Sequence, residues 1–282
     1  MRKASGLLCV GALAVLVVAA PGCSSDAAPH PRSSTPTSSV VTPAESATPE
    51  AAATMADSTP PLDTRALERI RDTRIFFGHR SVGTGIVTEG IPAVYATFGL
   101  APPQPRAQST GAGFFDDVVL EDGAGPVDKI QDFASRIRGG IGSTVDIAFM
   151  KLGYLNIDAS TDVHQTFEAY RAILAALASE YPDVRFLHVT ITPIQWDPDR
   201  GANMEAFNEL LRGYYASRGD LLDLSKVLST CPDGHSDIEH TESGAPYRLL
   251  CDDYTVDGGH LSALGNEVAA TAMLRSLSAL TE

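Results

Sequence analysis

Short, largely apolar runs alternate along residues 63–282 with longer segments in which apolar positions recur every three or four residues. The first pattern is typical of strands buried on both faces, and the second of amphipathic helices packed on a sheet. The predicted strands are Arg74–Phe77, Asp117–Leu120, Val145–Met150, Val184–Val189 and Leu221–Leu224, and the predicted helices are Val82–Phe98, Pro126–Ile137, Val163–Glu180, Ala202–Ser217 and Leu264–Leu280. This alternation predicts one three-layer α/β/α domain around a parallel sheet of roughly five strands.

The periodicity is missing before residue 63. Ser24–Leu62 contains 29 Ser, Thr, Pro or Ala among 39 residues, which is too little apolar surface to offset the entropy of ordering. Residues 23–62 are therefore predicted to form a disordered tether, and a flexible coil of this length spans about 35 Å r.m.s..

The first 22 residues have the pattern of an export signal. Arg2 and Lys3 precede an apolar stretch, Leu7–Ala20, that is too short for a comfortable membrane span. The following Pro-Gly-Cys resembles a bacterial lipobox, in which the signal is cut before Cys23 and this cysteine is lipidated. The alternative is an ordinary secretory signal with Cys23 incidental. Both predict export, and the lipobox also predicts anchoring to the outer face of the bacterial cell membrane.

Net charge limits the partners that the chain is expected to bind, and its cysteine content predicts a disulfide. The chain carries 21 Lys and Arg against 35 Asp and Glu, a formal net charge of −14. Such acidity argues against nucleic acid as a partner, and against anionic surfaces except through a lipid anchor. Once Cys9 has left with the signal and Cys23 is lipidated, Cys231 and Cys251 remain. In an oxidising compartment they are predicted to pair, and the alternative is two buried free thiols.

Two short segments almost 180 residues apart supply a hydroxyl, an imidazole and a carboxylate. The first, residues 78–83 (Gly-His-Arg-Ser-Val-Gly), follows the first predicted strand and places Ser81 on a strand-to-helix turn, where nucleophiles are often displayed. The second, residues 257–260 (Asp-Gly-Gly-His), precedes the last predicted helix. A fold that joins these loops holds a serine-hydrolase site, whereas the simpler alternative for Ser81 is to cap the following helix.

With these motifs in this order, the folded part resembles the SGNH (GDSL-like) hydrolases, esterases and acyl-processing enzymes with a flavodoxin-like α/β/α fold. Gly78, Ser81 and Gly85 stand where that family has its nucleophile and flanking glycines, and Asp257 and His260 match its final Asp-x-x-His block. The resemblance implies that Ser81 attacks, that His260 takes its proton, and that Asp257 fixes the imidazole tautomer.

The resemblance has two departures. The family's Gly-Asp-Ser is replaced by Gly78-His79-Arg80-Ser81, and its Gly-x-Asn-Asp block appears one residue out of register in Gly153–Asp158. The chain is closer to a divergent bacterial branch that begins with Gly-His-x-Ser-Val-Gly and ends with Asp-Gly-Gly-His.

Further candidates follow the carboxyl ends of the predicted strands, the edge at which ligands bind in such sheets. The oxyanion donors predicted there are the backbone N–H of Ser81, a backbone N–H in the loop from Gly123 to Gly125, and the side chain of Asn156. His79 is a supporting or substrate-contacting donor, an alternative base, or a residue that fills the turn. Lys151, at the end of a buried strand, is a site residue or a salt-bridged support.

Two other groups of residues give weaker evidence of function. Asp233, His235 and their acidic neighbours fit no defined zinc or calcium loop and are interpreted as a solvated loop, so that no metal or cofactor is predicted. Trp196 either lines an acyl or sugar pocket or serves packing.

The sequence thus predicts an exported, tethered serine esterase that acts through an acyl-enzyme on an envelope glycan, a lipid or a small ester. Acyl transfer to a sugar hydroxyl would use the same triad, and a non-catalytic envelope-binding lipoprotein is the alternative from another class. A hydrolase is expected to place Ser81 Oγ within about 3.5 Å of a His260 ring nitrogen.

Overall fold

The computed structural model describes residues 61–123 and 125–282. The predicted signal peptide, the lipidation site Cys23 and nearly all of the predicted tether lie outside the described residues. Within the described ranges, none of the helices has the length and apolar character needed to cross a membrane.

The domain is built on a five-stranded sheet. The strands are β1 (Arg74–His79), β2 (Phe114–Val119), β3 (Ile147–Met150), β4 (Arg185–Val189) and β5 (Leu221–Leu222). All neighbours are parallel, in the order β2-β1-β3-β4-β5, so the predicted parallel α/β sheet is confirmed. This is the flavodoxin-like order, in which the direction of winding reverses between β1 and β3 and opens a crevice at their carboxyl ends.

Helices cover both faces of the sheet. They are α1 (Thr64–Arg71), α2 (Val82–Gly85), α3 (Ile91–Thr97), α4 (Pro126–Arg138), α5 (Val163–Glu180), α6 (Pro198–Tyr215), α7 (Leu224–Ser229) and α8 (Ala263–Leu280). Helices α4, α5 and α6 pack in sequence along one face, whereas α8 packs against α1, α3 and α7. Right-handed crossovers account for this division, because the chain winds in opposite directions on either side of β1.

The predicted elements differ from the structure in several places, and three of the differences coincide with identifiable local features. The predicted helix Val82–Phe98 is interrupted by a π-helical turn, Ile86–Gly90, where a Cβ on Gly90 would lie 2.2 Å from the backbone oxygen of Asn266 in α8. The last strand stops two residues early, because the Asp223 side chain accepts a hydrogen bond from the backbone N–H of Lys226 at 3.1 Å and starts α7. Helix α1, which is capped by the Asp63 side chain, was not predicted.

The predicted disulfide between Cys231 and Cys251 is confirmed, with the two Cα atoms 5.5 Å apart. It closes a loop that contains a small antiparallel hairpin, β6 (Ile238–His240) and β7 (Pro246–Arg248), which the sequence did not predict. In the described part of the chain, no group of three or more His, Cys, Asp or Glu side chains is arranged to hold a metal ion.

Replacing both Cys231 and Cys251 with serine is expected to lower the free energy of unfolding by about 3 kcal/mol, because the unfolded chain regains the freedom of the open loop. Urea unfolding followed by circular dichroism measures the change. A reducing agent should shift the midpoint of the wild-type chain and leave that of the double variant unchanged. Equal midpoints for the two oxidised proteins would show that the disulfide contributes nothing.

Candidate active site

The turn before α8 holds a carboxylate and an imidazole in a fixed relation. The Asp257 side chain accepts hydrogen bonds from the backbone N–H groups of His260 at 2.7 Å and Gly259 at 3.0 Å, and its Oδ2 lies 2.7 Å from His260 Nδ1. These bonds, led by the backbone N–H of His260, lower the pKa of Asp257 to about 2. The carboxylate is therefore charged near neutral pH and holds a ring proton on Nδ1, so that Nε2 is the ring nitrogen placed to accept a proton.

Two glycines let this turn pack against Trp196. Gly258 has φ +84°, a left-handed conformation that favours glycine, and a Cβ there would lie 3.1 Å from Trp196 Cδ1. A Cβ on Gly259 would lie 3.3 Å from Trp196 Nε1. The Gly258 carbonyl also accepts a hydrogen bond from the Gln195 N–H at 2.9 Å, so the turn is fixed to the loop that follows β4.

Ser81 lies on a strained turn after β1. It has φ 52° and ψ −107°, and it is the sole non-glycine residue with positive φ in the described ranges. Such strain costs of the order of 1–3 kcal/mol and is typical of functional turns. Ser81 occupies the N-cap position of α2, yet its side chain makes no capping hydrogen bond. The helix-capping alternative is therefore not the arrangement observed, and the Ser81 side chain is exposed.

Tyr154 contacts His260 at the ring nitrogen where the sequence predicted Ser81. Its hydroxyl lies 3.3 Å from His260 Nε2. The Ser81 hydroxyl also approaches this phenol oxygen, closely enough to oppose the burial that raises the pKa of Tyr154. Across residues 61–123 and 125–282, Ser81 Oγ makes no aligned hydrogen bond with His260 or with Tyr154, so the direct contact of Ser81 with His260 stays a prediction and the phenol is the group that lies at Nε2.

The Tyr154 ring is held from several sides. Its edge-on contacts place the ring centroids of Trp196 and His260 at 5.7 and 6.0 Å. Arg200 Nη1 donates to the backbone oxygen of Tyr154 at 2.9 Å, and Arg200 is itself oriented by Asp197 at 3.1 Å. The phenol is thus fixed by three separate elements of the fold.

His79, the last residue of β1, is fully buried behind the Ser81 turn. Its Nε2 lies 2.8 Å from Asp117 Oδ2 on β2. A Cβ on Gly83 would lie 2.4 Å from His79 Cβ, so the imidazole supports the first turn of α2 directly. This contact shows His79 filling the turn, and its predicted roles as a donor or as a base stay predictions.

A network of charges joins the loops beside Ser81. Asp122 accepts from Arg80 Nε at 3.1 Å, from Lys129 Nζ at 3.1 Å and from Asn156 Nδ2 at 3.2 Å. Burial raises the pKa of Asp122, but the bonds from Asn156 and Lys129 outweigh it and the pKa is lowered. Asn156 Oδ1 accepts from Lys129 Nζ and from the Gly153 N–H, at 3.1 and 2.8 Å. Its predicted service as an oxyanion donor stays a prediction, since one amide hydrogen already points to Asp122.

The other predicted donors lie in the loop after β2. Gly123 has φ +59°, and a Cβ there would lie 2.3 Å from Asp128 Cβ, so this position requires glycine. Gly123 follows Asp122 and Gly125 precedes α4, while residue 124 between them lies outside the described residues. The loop is tied to the Ser81 turn through the ion pair of Asp122 with Arg80.

Lys151 follows β3 and is buried without a countercharge. Its Nζ donates to the Leu152 carbonyl at 3.1 Å, and no carboxylate in the described ranges lies within ion-pair distance. Burial, helped by the charge of Lys129, lowers the pKa of Lys151 to about 7. The salt-bridged alternative for this residue is therefore not observed.

Sequence reasoning missed the residues that join the site together. Their common signal is a polar side chain within a few residues of a strand's carboxyl end or at the start of the next helix, which is too general to select them; they are Asp117, Asp122, Lys129, Tyr154 and Arg200.

No protein-family model and no curated protein matches the chain. Among solved structures, similarity is found to a protein described as a lipolytic protein of the G-D-S-L family from Desulfitobacterium hafniense (13% identity, 72% of this chain and 99% of that one, TM-score 0.45). It is also found to an acetyl-xylooligosaccharide esterase variant from Geobacillus (16%, 73% and 94%, 0.42) and to a lipopolysaccharide acetyltransferase periplasmic domain from Salmonella ser. Paratyphi A (12%, 74% and 87%, 0.42). At such identities and TM-scores these similarities carry no conclusion about the chemistry of this chain.

Proposed function

We propose that this chain is a serine hydrolase of the SGNH type that cleaves an ester through an acyl-enzyme. The observation that carries the proposal is the arrangement at the crevice between β1 and β3. There Asp257 Oδ2 lies 2.7 Å from His260 Nδ1 and the Tyr154 hydroxyl lies 3.3 Å from His260 Nε2. The strained, uncapped Ser81 follows β1, the strand that pairs with β3. A nucleophile, a base and a group that orients the base are the set that acyl transfer needs.

The reaction proceeds in two halves. Ser81 Oγ attacks the ester carbonyl carbon while its proton passes to His260 Nε2, and the imidazolium is stabilised by Asp257. The tetrahedral intermediate collapses, the carbon–oxygen bond to the alcohol breaks, and the departing oxygen takes the proton from His260. Water then repeats the sequence on the acyl-enzyme and releases the acid. The backbone N–H of Ser81, the loop from Gly123 to Gly125 and Asn156 are the proposed donors to the oxyanion.

The substrate class follows from the exposure of the site and from the chain's N-terminal sequence. The side chains of His260 and Asp257 are 48% and 53% exposed, and Trp196 beside them is 49% exposed. An open site with an aromatic side chain at its rim suits an acyl group displayed on a larger molecule. The signal-like residues 1–22 and Cys23 support export and lipid anchoring, so an envelope glycan or lipid is the proposed substrate, with small esters as accessible surrogates.

A fluorophosphonate probe tests the proposal without knowledge of the substrate. The purified full-length chain is expected to take up one equivalent of probe, and peptide mass spectrometry should place the adduct on Ser81, because an activated serine attacks phosphorus as it attacks a carbonyl. A folded chain that takes up no probe and hydrolyses neither p-nitrophenyl acetate nor butyrate would favour the non-catalytic binding protein instead.

A further inference from the structure

Building on the proposed hydrolase, we infer that Tyr154 is a catalytic residue, a proton relay whose hydroxyl carries the Ser81 proton to His260. Nε2 of His260 is where a serine hydroxyl is expected to donate in a triad. In this chain the partner at Nε2 is the Tyr154 hydroxyl, at 3.3 Å. Ser81 and Tyr154 lie in the loops that follow the paired strands β1 and β3, and the Ser81 hydroxyl is near enough to influence the pKa of the phenol.

The direction of transfer follows from the tautomer of His260. Its Nδ1 lies 2.7 Å from the charged Asp257 carboxylate and therefore carries the proton, so Nε2 accepts. The phenol then donates to Nε2, and its oxygen keeps lone pairs with which it can accept the Ser81 proton. Burial keeps the pKa of Tyr154 above its usual value, so the phenol holds its proton at neutral pH and can serve as donor.

The relay step conserves every proton. As Ser81 Oγ bonds to the carbonyl carbon, its proton passes to the phenol oxygen, the phenol's own proton passes to His260 Nε2, and the carbonyl π electrons move onto oxygen. Tyr154 ends with the same number of protons with which it began. The imidazolium then returns a proton by the same route, or directly, to the departing alkoxide.

The surrounding contacts keep the phenol in this position. Arg200 holds the backbone of Tyr154 at 2.9 Å, and the ring lies edge-on between Trp196 and His260. Swinging the ring away would break contacts with both neighbours. The distance of 3.3 Å to Nε2 is at the long end for a hydrogen bond, as is common for catalytic contacts before substrate is bound.

Tyr154→Phe removes the hydroxyl and keeps the ring. We expect kcat for p-nitrophenyl acetate to fall about 10²-fold or more with KM little changed, because proton transfer is lost while packing is retained. Tyr254→Phe is the matched control, since Tyr254 is also buried near this turn and its hydroxyl makes no hydrogen bond in the described part of the chain. It should turn over at the wild-type rate.

A proton inventory supplies a readout that a merely structural tyrosine would not affect. In mixtures of H2O and D2O, the wild-type acylation rate is expected to curve with deuterium fraction, because two protons move, whereas Tyr154→Phe should give a straight line. A straight plot of acylation rate against deuterium fraction for the wild type would overturn the relay. This test does not depend on whether Tyr154→Phe folds. An active wild type that depends on Ser81, beside an equally active Tyr154→Phe, would likewise remove the relay and leave the hydrolase. Loss of both probe labelling and turnover in the wild type would end both proposals.

Discussion

Turnover of p-nitrophenyl acetate is expected to fall by at least about 10³-fold in the Ser81→Ala variant, with the fold retained. The variant removes the atom that attacks the ester in the proposed mechanism, and the exposed Ser81 side chain makes no capping hydrogen bond to α2. Stopped-flow or steady-state release of p-nitrophenol measures the effect, and far-UV circular dichroism together with a urea midpoint monitors the fold.

A matched control separates nucleophile loss from surface change. Ser217 is exposed after α6 and makes no hydrogen bond within the described ranges, so Ser217→Ala should keep full turnover. A third variant, Ser81→Gly, should be as inactive as Ser81→Ala and unfold at no lower urea concentration, because glycine tolerates the positive φ of 52°. Substantial turnover in Ser81→Ala would assign the nucleophile to another residue.

Replacing Lys151 with methionine is expected to raise the free energy of unfolding by about 4 kcal/mol at pH 7, the largest stability change we predict. Burial lowers the pKa of Lys151 from 10.5 to about 7, so below pH 10.5 the unfolded chain binds a proton that the folded chain resists. The resulting loss of unfolding free energy has its full size below about pH 7. It becomes smaller as the pH rises towards 10.5 and vanishes above that value. Methionine has a similar volume and carries no charge, so it escapes the penalty.

Urea unfolding at pH 7, 8, 9 and 10 measures this difference. The advantage of Lys151→Met over the wild type should decline steadily across the series. Lys226→Met is the control, because Lys226 is exposed on α7 and its loss should change stability by less than about 0.5 kcal/mol at every pH. A difference between wild type and Lys151→Met that stays constant with pH would mean that Lys151 keeps its charge in the folded protein.

The sheet could be predicted from sequence because each central strand is a largely apolar run, and burial on both faces favours that pattern. Ser81 and His260 could be selected because their flanking glycines mark unusual turns. Tyr154 could not, since it is one of eight tyrosines and its contact with His260 spans 106 residues. Similarly, the sequence placed Lys151 in the interior, but whether a carboxylate reaches it depends on how the loops cross.

The two halves of the proposed site lie near opposite ends of the domain's sequence. Ser81 follows β1, and His260 precedes α8. During synthesis, at about 5–20 residues per second, the nucleophile therefore precedes its base by about 10–35 seconds. While the chain is being synthesised, Ser81 has no base to activate it. His260 precedes α8, so the proposed hydrolysis requires that α8 first pack against α3. In the proposed mechanism, the serine therefore has no base until His260 has been synthesised and α8 has packed against its neighbours.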